Sequence, residues 1–332
     1  MPPTAVPFAM VNAFTEDWRG GNPAAIVFLS QAQELDDAAL QAIARNMHQT
    51  MTTFVWLPPP STASSEQNSA TFAVRWFTVE KEVPICGHGS LAAAAALFAD
   101  PQLVGEHVTA IHFAAASLEK PLSVRKAGTW LELTLPLVSI EEVTGLEREK
   151  IQGAVADAFG RDVAISYAAK GGKGFETYLM IELDPKEDLE GSEINTNAWT
   201  QTAPSTTNIL TTASPDTAHA FVSRMFAPLT GIPEDHVCGS AHSLLGPYWA
   251  RKLGLGEQEM SAQQPTPAAM PMRESAPGQP DPFVVYSRSL HDYTLRLWTE
   301  SRRLAEEKAR AKAAKREEDA KKKAQQAKAS KP

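Results

Sequence analysis

Along the first hundred residues the apolar positions change period several times, and each change marks an element. Phe8, Met10, Val11 and Phe14 form a short apolar run, Arg19-Gly20-Gly21-Asn22-Pro23 breaks it, and Ala24 to Leu29 resume it. Glycine and proline punctuate extended runs, so residues 7–30 read as strand, turn, strand. From Asp36 the spacing becomes helical: two acidic residues open the first turn, and Leu40, Ile43 and Ala44 follow at three and four. Met51–Leu57 and Thr71–Phe77 are dense in β-branched and aromatic residues and predict strands. Between them the Pro- and Ser-rich stretch Pro58–Ser69 predicts an exposed loop. After Pro84-Ile85-Cys86-Gly87-His88-Gly89, the run Ser90–Phe98 is alanine-rich and apolar all round. Such a helix is buried, and its N-terminus is buried or faces a cleft.

The second half repeats this plan. Residues 108–136 predict further strands, a helix runs from about Glu147 to Phe159, and Thr177–Leu183 and Asn208–Thr212 predict strands. Asp216–Arg224 reads as a short helix. Val237-Cys238-Gly239-Ser240-Ala241 then opens a helix through about Leu253, with Leu244, Leu245, Tyr248 and Trp249 apolar. Strand, Cys-Gly, helix thus occurs twice, about 150 residues apart. The outline is of two related α/β halves with a ligand cleft between helices that begin just after Cys86 and Cys238. The expected boundaries are 1–122, 123–300 and a tail at 301–332, which is Ala-, Lys- and Glu-rich from Leu304 and reads as a solvated helix or disordered segment.

Composition narrows the classes. No apolar stretch approaches the roughly 20 residues that span a bilayer, and the first ten residues have no basic start before an apolar core. Two cysteines are too few for a disulfide framework, so a cytoplasmic protein is expected. The net charge of −8 is uneven: residues 301–332 carry a local +7 and the remaining 300 carry −15. A body this acidic repels nucleic acid and anionic membranes, leaving a small molecule as the expected partner.

Both cysteines precede glycine, which chance would do in about half a percent of chains. A helix start has unpaired amides and partial positive charge, so a thiol there is expected to ionise more easily. Glycine beside it lets a substrate carboxylate approach the backbone N–H groups. Two such ends facing each other could hold an amino or hydroxy acid between two sulfurs, one removing the α-proton and the other returning one on the opposite face. There is no phosphate loop, dinucleotide fingerprint or zinc-ligand spacing, so no cofactor or metal is expected.

At these residues the chain resembles the phenazine-biosynthesis PhzF family, on the diaminopimelate-epimerase fold. Gly21-Asn22-Pro23-Ala24-Ala25 is similar to its GNPAA motif. Trp76-Phe77-Thr78 through Glu82-Val83-Pro84-Ile85-Cys86-Gly87-His88-Gly89 resembles FTP…E…CGHAT, and Arg224-Met225-Phe226-Ala227-Pro228 with Gly231-Ile232-Pro233-Glu234-Asp235 resembles RxFAP…GxxED. Gly239-Ser240-Ala241-His242 and Tyr248-Trp249 complete its second signature, over about residues 8–265. The resemblance implies an α+β fold of two similar halves, each a curved, mainly antiparallel sheet wrapped around a central helix, with the site at their interface. It also implies a cofactor-free isomerase, often a homodimer.

Two departures bear on chemistry. Met51 stands where the family isomerases carry an acid/base glutamate, and a thioether cannot exchange a proton. Cys238 stands where the family has threonine, which restores the cysteine pair of the epimerases and racemases of the same fold. Gln264-Pro265-Thr266-Pro267-Ala268-Ala269 also lacks the Arg-Gly-Gly of the family's QxSxRGG stretch. The resemblance makes His88 an acid/base or hydrogen-bonding residue and Asp235 an active-site carboxylate; their plainer readings are a helix-start residue and a cap. His48 is the nearby titratable side chain that could replace the glutamate, or a dipole partner at a helix end. His242 and Met51 read as structural. The candidate set is Cys86, Cys238, His88 and Asp235 for catalysis, and Gly87, Gly89, Gly239, Ser240, Asn22 and His48 for substrate. Three activities remain: a two-thiol racemase or epimerase, a PhzF-like isomerase or tautomerase acting through His88 and Asp235, and a non-catalytic small-molecule-binding protein.

Overall fold

The computed structural model describes residues 6–14, 21–30, 35–58, 68–215, 218–256 and 258–265. The charged tail expected at 301–332 and most of the loop expected at Pro58–Ser69 lie outside these residues. In chain order the elements are β1 (Phe8–Ala13), β2 (Asn22–Ser30), α1 (Asp37–Met47), β3 (Met51–Leu57), β4 (Ser69–Phe77), β5 (Glu82–Val83), α2 (Gly87–Ala99), β6 (Ala110–Ala114), β7 (Leu122–Ala127), β8 (Trp130–Thr134) and β9 (Ile140–Glu142). There follow α3 (Gly145–Phe159), β10 (Ile165–Gly171), β11 (Tyr178–Leu183), a 3-10 segment (Thr196–Thr202), β12 (Thr207–Ala213), β13 (Phe221–Ala227), β14 (Ile232–Asp235), α4 (His242–Lys252) and β15 (Ala262–Gln263). Among the described residues no helix is long and apolar enough to cross a membrane.

Two mixed sheets result. The first runs β1-β2-β3-β4-β6-β7-β8 with β5 beside β4, and the second runs β14-β13-β12-β11-β10-β9 with β15 beside β13. In the first, β5 pairs antiparallel to β4 while β6, reached through α2, lies parallel to it. In the second, β14 pairs antiparallel to β13 while β15, reached through α4, lies parallel to it. So α2 and α4 occupy equivalent positions, and the repetition that the sequence carries in two Cys-Gly steps is a repetition of topology.

Packing follows from composition. Helix α2 touches β1, β2, β3, β7 and β8, so the first sheet curls around it. Ala92, Ala93, Ala94 and Leu97 are fully buried there, and the alanines let the strands come close. Helix α1 is amphipathic instead. Asp36 caps it by accepting from the Ala39 amide at 2.8 Å, and Leu40 and Ala44 pack on the outer face of the sheet with Val27, Leu29, Phe54 and Phe77. Strand β3 alternates accordingly: Met51 and Val55 face α2 and Phe54 faces α1. On the inside, one core runs from Ile26, Trp76 and Ala93 through Cys86 and Cys238 to Met180, Phe221 and Leu244.

Two expected elements differ. Of the helix read at Asp216–Arg224, Asp216 and Thr217 lie outside the described residues, and Phe221–Arg224 belong to the strand β13, central between β12 and β14 and buried along its whole length. Its Phe221 and Met225 face the shared core while Val222 and Phe226 face α3 and the 3-10 segment. A short run buried on both faces has no polar alternation to distinguish it from a helix. The second helix also starts at His242 rather than directly after Cys238. Gly239, Ser240 and Ala241 form tight turns whose carbonyls accept from the amides three residues on, and α4 begins only beyond them. The sequence had also given no sign of β9, β10, β15 or the 3-10 segment.

Candidate active site at the seam of the two halves

Cys86 is the N-cap of α2, with extended φ −144° and ψ 115°. Its sulfur accepts from the Gly89 amide at 3.3 Å and stands 3.3 Å from Nδ1 of His88. Its carbonyl accepts from the Ser90 hydroxyl at 2.7 Å, which anchors the turn. Cys238 comes from the other half, on the connection between β14 and α4. Its amide donates to Gln264 Oε1 at 2.8 Å, and its sulfur lies 3.4 Å from Ser240 Oγ, which is 3.0 Å from the Tyr178 hydroxyl. The nearby Asp235 charge disfavours ionisation of this thiol. Both cysteines are free and buried.

The seam itself is glycine against glycine. A methyl group placed on Gly87 would lie 3.2 Å from Gly239 Cα, and one on Gly239 would lie 3.3 Å from Gly87 Cα. Only glycine permits this approach of two backbones, which sets the thiol-bearing turns face to face. Gly89 is equally confined: a methyl there would meet Thr53 Oγ1 at 2.6 Å and Met51 Cγ at 3.1 Å.

Asn22 crosses the seam from β2. Its amide donates to Asp235 Oδ1 at 2.6 Å and to the Val237 carbonyl at 3.2 Å, and its oxygen accepts from Thr50 Oγ1 at 3.1 Å. Gln264 closes the same loop from below, donating to the Asp235 carbonyl at 2.7 Å while accepting from the Cys238 amide. Behind β14, Arg224 binds Glu234 through two bonds of 2.7 and 2.9 Å and donates to the carbonyls of Leu189 and Ser192. The Arg and Glu of the motif are therefore a buried pair that holds the strand, and the neighbouring Asp235 turns inward.

Burial dominates the electrostatics. It pushes both thiols up, Cys238 to about 12 with the Asp235 charge adding to the effect, and Cys86 further. The helix-end amide at Cys86 acts in the expected direction, but desolvation outweighs it, so neither thiol is a ready thiolate. Loss of water drops His88 to about 3 and leaves a neutral imidazole. The same loss raises Asp235 to about 7, against the hydrogen bond from Asn22 that pulls it down. His88 Nε2, Thr53 Oγ1 and Trp76 Nε1 are buried without a protein partner.

Cys86, His88, Gly87, Gly89, Asn22, Asp235, Cys238, Gly239 and Ser240 therefore come together at one seam. His48 stands apart, in the left-handed cap of α1 at φ 53°, where its ring donates to the Arg45 carbonyl at 2.6 Å. Gln264, Tyr178, Thr50 and Thr53 join the site unannounced. Gln264 at least sat in a recognisable motif stretch, but Tyr178 and Thr53 are ordinary strand residues without a local signal. Among the described residues no three His, Cys, Asp or Glu side chains converge as a metal set.

Two sheets joined along one core, each with a Cys-Gly turn at the join, define the epimerase fold with titratable side chains at its seam. The family of phenazine biosynthesis-like proteins, PhzC-PhzF, matches residues 11–267. The chain is 33% identical over 274 residues to phenazine biosynthesis-like domain-containing protein 2 of Mus musculus, covering 78% of this chain and 88% of that one. It is 32% identical over 252 residues to an uncharacterized isomerase of Halalkalibacterium halodurans, covering 76% and 84%. A crystal structure of a PhzF-family protein from Enterococcus faecalis is similar at a TM-score of 0.61 and 30% identity, covering 80% of this chain and 88% of that one. The chain belongs to the phenazine biosynthesis-like family.

Proposed function

We propose that this protein is a cofactor-independent isomerase that racemises or epimerises a small amino or hydroxy acid, with Cys86 and Cys238 as the proton-transfer pair. One observation carries the reading: thiols 152 positions apart in the chain are brought, both buried, to a seam where Gly87 and Gly239 touch. In this reading the substrate carboxylate is held by the backbone amides of the two Cys-Gly turns. One sulfur takes the α-proton, the electron pair of the broken C–H bond spreads into the carboxyl group, and the opposite thiol protonates the other face. The relative named as an isomerase agrees with the general class of reaction.

The test is a screen of amino and hydroxy acids in D₂O, followed by NMR for loss of the α-proton signal. We expect exchange with one chemical class of acid, and a loss of about a hundredfold or more in each of C86S and C238S with the fold intact. A second reading, a PhzF-like isomerase acting through His88 and Asp235, draws support from the placement of Asp235 near 7, where a carboxyl group can both take and give a proton. It predicts that both serine variants keep most of their activity. Absence of exchange with every acid would leave the non-catalytic binding protein standing.

A further inference from the structure

Each cysteine has a polar side chain two positions further on, set against its own sulfur. His88 Nδ1 stands 3.3 Å from the Cys86 sulfur, and Ser240 Oγ stands 3.4 Å from the Cys238 sulfur. The two halves differ in what backs that side chain. His88 Nε2 is buried without a protein partner. Ser240 instead meets Tyr178, the first residue of β11, whose hydroxyl lies 3.0 Å from Ser240 Oγ. We infer that Tyr178 is a positioning residue for Cys238: its hydroxyl donates to Ser240, and the Ser240 hydroxyl donates to the Cys238 sulfur. A thiolate formed there during proton transfer is then met by an O–H already aimed at it. The inference rests on the two-thiol reading proposed above.

The direction of the relay follows from which groups can take a proton. Tyr178 is buried, and among the described residues the hydrogen-bond partner of its hydroxyl is Ser240 Oγ. Were Ser240 the donor to Tyr178, the phenol proton would be left in a dry interior with no acceptor, which is the costly arrangement. Tyr178 therefore donates, and Ser240 turns its proton to its other partner, the sulfur. Burial pushes the Tyr178 phenol up from its usual range, so it stays a donor across neutral pH. The ring is held in place: it packs edge-on against Phe175 with centroids 4.8 Å apart, and the Tyr178 amide donates to the Phe175 carbonyl at 2.9 Å. Hydrogen bonds in series polarise one another, so a Ser240 hydroxyl that accepts from Tyr178 is a stronger donor to sulfur. No proton leaves the phenol. The relay orients the serine and stabilises charge on the sulfur, and transfers nothing itself.

The experiment reads alkylation by iodoacetamide, a neutral reagent that attacks through the thiolate, at a single pH. Initial rates at Cys86 and Cys238 are followed separately in the same folded protein by peptide mass. S240A removes the donor to sulfur and should slow Cys238 by at least about tenfold. Y178F keeps the ring and its Phe175 contact, and should slow Cys238 by about three- to tenfold while changing Cys86 by less than about twofold. In S240A, adding Y178F should slow Cys238 no further, because Tyr178 acts only through Ser240. A residue that merely fills space would give the same effect with or without Ser240. That outcome overturns the inference, as does a Y178F in which Cys238 is unchanged or faster, or in which both cysteines slow alike. The comparison of the two cysteines within Y178F stands alone as a test should S240A fail to fold. Because alkylation needs no substrate, the relay can fail while the D₂O screen succeeds, and the reverse.

Discussion

The Asp235 carboxyl gives up water on folding and gains the Asn22 amide, and the exchange is unfavourable to its charge. Its pKa rises from 3.8 to about 7, burial being the largest cause. A raised folded-state value means that the folded protein holds the proton more tightly. The associated stability is complete below about pH 4 and is lost as pH climbs through about 7. His88 works the other way: its value falls from 6.5 to about 3, so its contribution is present above pH 6.5 and lost as pH falls toward 3. D235N keeps the acceptor for Asn22 and cannot ionise. Its stability relative to the parent should therefore grow between pH 4 and 8, by up to about 4 kcal/mol, since each pKa unit is worth about 1.4. Urea unfolding of both proteins at several pH values checks this; a difference that does not vary with pH would mean that Asp235 keeps its charge without penalty. The cysteines and Asp235 could be picked out from the chain because they sit in local motifs. The link from Asn22 to Asp235 could not, because it joins side chains 213 positions apart.

At the scale of elements, two helical glycines with opposite surroundings separate local preference from packing. Gly153 lies exposed in α3, and a methyl group there meets nothing within 4 Å. G153A should raise stability by about 0.5–1 kcal/mol, the ordinary preference of a helix for alanine. Gly87 opens α2 with the Gly239 backbone 3.2 Å from where the methyl would sit, and backbone cannot step aside as a side chain can. G87A should cost about 1–3 kcal/mol despite the same helical gain, and should lower any activity because the two thiol turns are pushed apart. Thermal melts of the two variants give the signs directly, and an increase for G87A would show that the seam yields. The helices α1 and α2 were legible because one has a single apolar stripe and the other is apolar throughout. Strand β13 was not, since burial on both faces erases the alternation that marks a strand.

For the whole molecule, the decisive feature is that the inner faces of both sheets feed one core through the two cysteines. Neither half can expose its side of that core without opening the other, so urea unfolding should be a single transition, with tryptophan fluorescence and far-UV circular dichroism coinciding. Two separate transitions would mean that the halves fold independently and that the seam is a mere contact. The family, the two-fold strand–Cys-Gly–helix plan and most of the strands were set by the sequence itself, because turn residues and hydrophobic period act over a few neighbours. The partners of the thiols, the clamp roles of Asn22 and Gln264, and the direction of every pKa shift at the seam were decided only by tertiary structure. The physical reason is desolvation: a helix end on its own favours a thiolate, and burial of Cys86 in the folded protein removes the water that would have let it form.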